Sequence, residues 1–98
     1  PYTFAFVDSE DRSIVRSEIY RARKTALNGI ESVKKNCLNN ARYEMKEAKN
    51  GKYFFNLKAS NGQVVGTSTF YETMEQRIFG IAKLKIGAPD AVMVEQQN

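Results

Sequence analysis

The sequence contains no histidine, a single cysteine and only two prolines among its 98 residues. Without histidine, the chain lacks the most frequent general base and the most frequent metal ligand of proteins. Its one thiol, Cys37, has no second cysteine for an internal disulfide, which is typical of a reducing compartment. Because no histidine is present to activate it, we interpret Cys37 as a small, partly buried side chain after a helix and not as a nucleophile.

Long apolar runs are also absent. No stretch approaches the roughly 18 consecutive apolar residues of a membrane span, and no basic segment followed by an apolar run marks a leader. The composition, 42% hydrophobic and 27% charged, is that of an ordinary globular chain. We therefore expect one domain over residues 1–98, located in the cytoplasm and not associated with a membrane.

The common motifs of catalysis and cofactor binding are missing. The glycines do not have the spacing of dinucleotide- or nucleotide-binding loops. The acidic cluster from Asp8 to Asp11 fails as a calcium-binding EF-hand loop, since Ser13 and Ile19 stand where that loop needs glycine and glutamate. One cysteine cannot assemble a zinc site. The sequence therefore predicts a protein that is not an enzyme and has no metal or cofactor, with a solvated hairpin turn at the acidic cluster.

The centre of the chain, residues 53–71, carries the clearest structural signal. Apolar and polar side chains alternate over residues 53–59, and residues 63–70 are rich in valine and threonine, as in two paired strands. Between them lies Asn61-Gly62, a pair favoured in two-residue type I′ turns, where both positions need a positive φ. Asn50-Gly51 predicts a second hairpin turn directly before this stretch.

The two halves of the chain resemble each other when the sequence is shifted by 51 residues. Nine identities result, whereas chance would give roughly three, so a duplicated unit is the better explanation. We assign repeat 1 to residues 1–47 and repeat 2 to residues 48–98. The identical pairs are Tyr2/Tyr53, Phe4/Phe55, Ser9/Ser60, Ser17/Ser68, Tyr20/Tyr71, Gly29/Gly80, Ile30/Ile81, Lys34/Lys85 and Glu44/Glu95.

Each repeat is predicted to run in the order strand, strand, helix. In the first helix, residues 23–36, apolar side chains recur at the 3.6-residue spacing, and Asn36 is expected to end it in the left-handed conformation. In the second helix, residues 73–76 fit a capping box, and Gly87 followed by Pro89 marks the end. The predicted strands are residues 2–7, 12–19, 40–46, 53–59, 63–70 and 91–95.

We expect these elements to form one α+β domain with pseudo-two-fold symmetry, an antiparallel sheet and both helices on one face. Repeat 2 has a strand before its main hairpin, at residues 43–49, whereas repeat 1 has no residues for a counterpart. An unpaired strand edge invites association. We therefore predict that residues 91–95 cross to repeat 1, as residues 40–44 cross toward repeat 2, so that terminal strands are exchanged.

Two serines and two tyrosines are matched between the repeats at the junction of strand and helix. Ser17 and Ser68 each lie three residues before a tyrosine. Their hydroxyls suit either a bound ligand or the backbone groups of the turn. Tyr20 and Tyr71 are expected to pack against the starts of the helices.

Glycine stands in the middle of both predicted helices, at Gly29 and Gly80, where it costs about 1 kcal/mol relative to alanine. Its presence in both helices predicts a close approach between helix and sheet. Leucine at position 29 should then destabilise the fold by overpacking.

A candidate basic surface lies on helix 1. The net charge of +4 is concentrated in the first half, where residues 1–51 carry ten basic and seven acidic side chains. The acidic side chains are interspersed, so an ordinary solvated helix face is the alternative interpretation. The members of this surface are Arg21, Arg23, Lys24, Lys34 and Lys35, with Arg12, Arg16 and Arg42 as further members.

Two segments, residues 28–36 (NGIESVKKN) and residues 51–68 (GKYFFNLKASNGQVVGTS), resemble the YegP-like family of small bacterial proteins. The resemblance implies tandem repeats, each with a small antiparallel sheet and one helix, which interlock through exchanged terminal strands. The chain departs from the family pattern by lacking a first strand in repeat 1, and by Glu10-Asp11 and Phe79 in place of the usual residues. The family has no settled activity, so the resemblance implies no catalytic residues.

Two hypotheses for the function follow. The first is a small, non-enzymatic interaction or structural domain whose sheet surface or strand edge engages a partner protein or its own copy. The alternative is weak, sequence-independent nucleic-acid binding through the helix 1 surface, with an affinity that falls steeply as the salt concentration rises.

Overall fold

Five strands and two helices make up the fold, which a computed structural model describes over residues 1–96. All neighbouring strands are antiparallel, and their order in the sheet is β1-β2-β5-β4-β3, which confirms the predicted α+β class with an antiparallel sheet. The elements are β1 (Ala5–Val7), β2 (Ser13–Arg16), α1 (Arg23–Asn36), β3 (Tyr43–Glu47), β4 (Tyr53–Lys58), β5 (Val64–Ser68) and α2 (Met74–Gly87), with short 3₁₀ turns at Asn40–Arg42 and Ala88–Asp90.

The β4–β5 hairpin closes with a three-residue loop, so the prediction of a two-residue type I′ turn is wrong. The amide of Ala59 donates to the carbonyl of Gln63 at 2.9 Å, and the amide of Gly62 donates back to Ala59 at 2.9 Å. Gly62 has φ +85°, whereas Asn61 is not among the residues with positive φ. The Asn61 side chain instead accepts a hydrogen bond from the Gln63 amide at 3.0 Å, which favours a type I turn followed by one left-handed residue.

The other two hairpins have the same loop length. Gly51 occupies the left-handed position of the β3–β4 loop with φ +83°, and Asp11 occupies that of the β1–β2 loop with φ +62°. In the β1–β2 loop, the carboxylate of Asp8 accepts hydrogen bonds from the amides of Glu10 (2.8 Å) and Arg12 (3.0 Å). The acidic cluster is therefore a hairpin turn, as its sequence indicated.

Helix α1 spans the predicted residues, but its predicted left-handed end at Asn36 is wrong. Asn36 is the last helical residue, and Cys37 after it has φ −61° and donates its amide to Val33. The side-chain amide of Asn36 donates to the Ser32 carbonyl at 2.8 Å. The chain continues right-handed through Cys37 into the next turn.

Helix α2 begins at the predicted cap and ends at the predicted residue, but Gly87, which the sequence predicts to be left-handed like Asn36, has φ −91°. The Gln76 amide donates to the Thr73 hydroxyl at 3.1 Å, and the Gln76 side chain accepts from the Glu72 amide at 2.9 Å, which completes a capping interaction. The helix ends at Gly87, and Pro89 follows in the 3₁₀ turn. Within residues 1–96, neither helix has the length and apolar character needed to cross a bilayer.

The hydrophobic core lies between the helices and the sheet face that carries Phe55 and Leu57. The opposite face of the sheet is mixed: the rings of Phe54 and Phe70 pack edge-on there with a centroid distance of 5.6 Å, beside a cluster of polar side chains. There the Asn56 amide donates to Glu44 at 3.0 Å, and the Thr67 hydroxyl donates to Asn56 at 2.8 Å. This inside–outside alternation along β4 is the one that its sequence predicted. The largest fully buried side chains are Phe55, Leu57, Leu84, Val15, Val33 and Cys37.

The prediction of a strand at residues 91–95 is wrong, although the segment does lie against the first half of the chain, as predicted. No strand is assigned in this segment. The Lys34 side chain instead donates to the Ala91 carbonyl at 3.0 Å, and Arg23 forms an ion pair with Glu95. Both anchors lie on α1, so the segment follows the helix and its valines remain exposed.

The other five predicted strands are also shorter in the structure. Those predicted over residues 53–59 and 63–70 are Tyr53–Lys58 and Val64–Ser68. The strand predicted over residues 2–7 starts at Ala5, and Tyr2 contributes only an isolated bridge to Tyr20. The strand predicted over residues 12–19 is confined to Ser13–Arg16. The first residues of the strand predicted over residues 40–46 form a 3₁₀ turn, because the Asn39 side chain accepts a hydrogen bond from the Ala41 amide.

Candidate functional site

The matched serines hold backbone groups in place. Ser17 accepts a hydrogen bond from the Phe4 amide at 2.9 Å and donates to the Glu18 carbonyl at 2.8 Å. Ser68 makes the same two bonds, from the Phe55 amide at 2.9 Å and to the Thr69 carbonyl at 2.8 Å. Both hydroxyls are occupied within the domain, so the structural alternative describes these serines.

The matched tyrosines lie over the matched glycines and not at the helix starts, so the predicted staple role is wrong. A β-carbon on Gly29 would lie 2.6 Å from the Tyr20 hydroxyl, and one on Gly80 would lie 2.1 Å from the Tyr71 hydroxyl. The close approach predicted at both glycines is confirmed, with a tyrosine ring between helix and sheet. Loss of hydration on burial raises the pKa of both phenols.

Cys37 is fully buried at the end of α1. Its thiol contacts the Lys34 carbonyl at 3.4 Å, and the Tyr43 hydroxyl donates to the Cys37 carbonyl at 2.6 Å. Burial raises the pKa of this thiol, which disfavours the reactive thiolate. The interpretation of Cys37 as a packing residue agrees with this environment.

The basic side chains that were predicted to form one surface contact different parts of the chain. Arg23 and Lys34 hold the C-terminal segment through Glu95 and the Ala91 carbonyl. Arg12 is paired with Glu10 in the first hairpin turn. The structure does not bring these three basic groups together.

Lys35 and Arg42 both line a shallow cavity of about 400 Å³ between α1 and the β4–β5 loop. Arg42 donates to the Asn36 side chain at 3.1 Å. Glu31 also lines this cavity, so its charge is mixed. The further lining residues are Asn28, Ser32, Ala59 and Ser60. Over residues 1–96, no three histidine, cysteine, aspartate or glutamate side chains converge as a metal ion would require.

The first strands of the two matched hairpins, β1 and β4, differ in what covers their outer side. The outer edge of β4 is covered by β3 over five residue pairs, from Tyr43↔Leu57 to Glu47↔Tyr53. Strand β1, at the other end of the sheet, pairs only with β2. The sheet therefore has a strand position beside β1 that no residue from 1 to 96 fills.

The backbone groups at this position are identified by the alternation of hydrogen bonds. The Phe4 carbonyl accepts a hydrogen bond from the Ser17 amide, the Phe4 amide donates to the Ser17 hydroxyl, and the Asp8 amide donates to the Arg12 carbonyl, so Phe4 and Asp8 point toward β2. Because alternate residues of a strand point their N–H and C=O groups in opposite directions, Thr3, Ala5 and Val7 direct theirs to the outer edge. All three residues are exposed. We name these backbone groups of Thr3, Ala5 and Val7 the β1 outer edge.

Sequence reasoning located the unpaired edge but not these residues. Which backbone groups point outward depends on the register between β1 and β2, and that register contains an irregularity between Phe6 and Val7.

These features define the class of the protein as a small α+β domain with a five-stranded antiparallel sheet and two helices on one of its faces. The chain belongs to the family described as "Domain of unknown function (DUF1508)", which matches residues 2–44 and again residues 48–95. The predicted resemblance to YegP-like proteins is confirmed by the relatives.

Among the relatives is a UPF0339 protein from the ptx operon 5′ region of Stutzerimonas stutzeri, 45% identical over 99% of this chain and 87% of that protein. The UPF0339 protein YegP of Escherichia coli K12 is 42% identical over 86% of this chain and 76% of its own length. Both are similar to this chain over most of their sequences.

Two solved structures share the fold. The solution structure of Escherichia coli yegP, described as a protein of unknown function, has a TM-score of 0.80 at 42% identity and covers 85% of this chain and 72% of its own. A UPF0339 protein of Shewanella oneidensis has a TM-score of 0.84 at 39% identity, covering 89% and 74%. These relatives are uncharacterised.

Proposed function

We propose that the protein is a small, non-enzymatic interaction domain that binds an extended polypeptide segment along the β1 outer edge. The observation that carries this proposal is the difference between β4 and β1, the first strands of the two hairpins. Strand β4 is covered by β3 over five residue pairs, whereas β1 presents its outward backbone groups in an exposed position. An added strand would satisfy these groups with backbone hydrogen bonds.

The proposal includes a duplicated architecture of two ββα units related by a pseudo-two-fold axis between β2 and β5. Contacts that recur 51 residues apart support it. Tyr2 and Tyr20 exchange backbone hydrogen bonds of 2.7 Å, and Tyr53 and Tyr71 exchange bonds of 2.8 and 2.7 Å. The two matches to the same family, at residues 2–44 and 48–95, also favour it. Under this symmetry the position beside β1 corresponds to that of β3.

The chemistry of the two edges supports binding at β1. Proteins commonly protect an exposed edge with charged side chains. Strand β3, itself an outer strand, carries Glu44, Lys46 and Glu47. Strand β1 consists of Ala5, Phe6 and Val7 and has no charged side chain. The β1 edge therefore lacks the usual protection against strand addition.

The position of β3 also indicates which segment would fit. Tyr43 packs edge-on against Phe55 with a centroid distance of 5.5 Å. Phe4, which corresponds to Phe55, is only half-buried and lies next to the unfilled position. We expect the bound segment to be extended, with an apolar or aromatic side chain directed toward Phe4 and polar side chains on the opposite face.

The experiment uses a fluorescent peptide with the sequence of residues 40–49, which contains the strand that fills the corresponding position beside β4. Its binding to the full chain is followed by anisotropy. The Ala5→Pro variant removes one outward amide while leaving the β1–β2 bonds intact, because that amide points away from β2. The matched control, Ala5→Thr, keeps the amide.

We expect the peptide to bind the unaltered protein and Ala5→Thr alike, and to bind Ala5→Pro at least about tenfold more weakly, as loss of one buried backbone hydrogen bond implies. A melting curve verifies that Ala5→Pro is folded. Equal binding to Ala5→Pro, or no binding at millimolar peptide, would overturn the proposal.

A further inference from the structure

Helix α2 is apolar on its outer face as well as on its buried face. Its inner side buries Gly80, Ile81 and Leu84. On the outer side, Phe79 is 68% exposed and Ile86 is 80% exposed. With Ala82 between them, these residues recur at a spacing of three and four, which places them on one stripe of the helix. We name Phe79, Ala82 and Ile86 the α2 outer stripe.

The same positions on α1 are polar. Fifty-one residues before the stripe, Asn28, Glu31 and Lys35 stand at the corresponding places. Helix α1 packs against the sheet with Ala26, Gly29 and Val33 buried, so a charged outer face is compatible with this fold. The apolar character of the α2 outer stripe is therefore not needed for folding. Contiguous exposed apolar residues of this kind mark interaction surfaces.

We propose that the α2 outer stripe binds the same stripe of a second copy of this chain, with the two helices antiparallel. The distribution of charge along α2 favours a second copy of the chain as the partner. Glu75 lies in the first turn of the helix and Lys83 lies near its end. An antiparallel pair places Glu75 of each copy near Lys83 of the other, whereas a parallel pair places like charges together.

Two further features fit this arrangement. Opposed helix dipoles favour antiparallel neighbours. Ala82 is the small residue in the middle of the stripe, and it leaves room for the Phe79 ring of the second copy. Lys83 also lies 3.5 Å from Asp8 within its own chain but remains 57% exposed, so it is available to a second carboxylate.

The contact is small, because it uses one helix of 14 residues from each copy. Interfaces below about 1,200 Å² in total are typical of weak association. We expect a dimer that forms at micromolar or higher protein concentration. This contact is separate from the β1 outer edge, so Ala5→Pro should leave it unchanged.

Sedimentation velocity over a range of concentrations tests the proposal. The variant Phe79→Asn with Ile86→Lys copies the α1 outer face onto α2, and we expect it to stay monomeric with an unchanged melting temperature. The control Ile19→Asn changes a side chain that is 72% exposed elsewhere on the surface, and it should associate as the unaltered protein does. A monomeric unaltered protein, or association that survives the double substitution, would overturn the proposal.

Charge reversal tests the antiparallel orientation. Glu75→Lys and Lys83→Glu each place like charges in contact, so we expect each variant alone to associate at least about fivefold more weakly. An equimolar mixture of the two should associate again, because both contacts then join opposite charges. If Glu75→Lys alone associated as well as the unaltered protein, the antiparallel arrangement would be wrong. If the α2 outer stripe bound only a different protein and the chain did not associate with itself, the proposal of a dimer would also be overturned.

Discussion

The hydroxyl of Tyr71 lies 2.1 Å from the place that a β-carbon on Gly80 would occupy. This relationship explains a glycine in the middle of a helix, where alanine would ordinarily be preferred by about 1 kcal/mol. The ring cannot withdraw freely, because it stacks on Phe55 with a centroid distance of 6.5 Å. The Tyr71 ring thus lies between helix α2 and Phe55 of the sheet.

We expect Gly80→Ala to lower the free energy of unfolding by about 1–3 kcal/mol, the usual cost of overpacking. Gly87→Ala is the matched control, because nothing lies within 4 Å of a β-carbon there, and it should be neutral or stabilising. Urea denaturation measures both changes. A more stable Gly80→Ala protein would show that the tyrosine can move aside at little cost.

The two matched serines should differ in how much they contribute to the stability of the fold. Ser68 is buried, and its hydroxyl accepts a hydrogen bond from the buried Phe55 amide. Ser17 makes the same bond to Phe4 in a partly exposed setting. Because an unsatisfied buried amide costs about 1–3 kcal/mol, Ser68→Ala should be the more destabilising substitution. Thermal unfolding of the two variants side by side checks this order, and a larger effect at Ser17 would contradict it.

The pH dependence of stability should contain a contribution from Asp8. Hydrogen bonds from the Arg12 and Glu10 amides lower the pKa of this carboxyl below its ordinary value of 3.8. A carboxyl with a lowered folded pKa contributes stability above its unfolded pKa and loses it as the pH falls through the folded pKa. We expect the unaltered protein to lose more stability than Asp8→Asn on acidification below the ordinary carboxyl pKa. Chemical unfolding at a series of pH values measures the difference, and parallel curves would refute the assignment.

Nucleic-acid binding remains a prediction from the sequence. The arrangement of the basic side chains in the structure leads us to expect no such binding at physiological salt. Arg23 and Lys34 hold the C-terminal segment, while Lys35 faces a cavity shared with Glu31. With its charges divided in this way, the protein should not bind labelled single- or double-stranded oligonucleotides at physiological salt. Anisotropy titrations at low and physiological salt test this. Micromolar binding that is lost on replacing Arg21, Arg23 and Lys24 with alanine would restore the alternative function.

The sequence correctly predicted the features that depend only on residues close together in the chain. The limits of α1 followed from the spacing of its apolar residues, and those of α2 from the Thr73 cap and Gly87. The type of the β4–β5 turn did not follow, because an Asn-Gly pair suits two loop lengths. The choice depends on the hydrogen bond from the Gln63 amide to the Asn61 side chain.

The long-range features were harder to predict. Residues 91–95 have the composition of a strand, but a strand needs an edge to pair with, and Lys34 and Arg23 hold this segment on α1 instead. The α2 outer stripe did not follow from the similarity of the two halves, because the halves differ at these positions. Phe79, for example, stands where the first half has Asn28.

Amide hydrogen exchange at Thr3, Ala5 and Val7 is the most direct test of strand addition at β1. It is measured by NMR in the 98-residue chain, with and without the peptide of residues 40–49. Phe54 and Asn56, which face β3, serve as internal references for a covered edge. We predict fast exchange at the three β1 amides in the free protein and at least about tenfold slower exchange with peptide bound. If these amides already exchanged as slowly as those of Phe54 and Asn56 without peptide, the edge would be covered and the account would be contradicted.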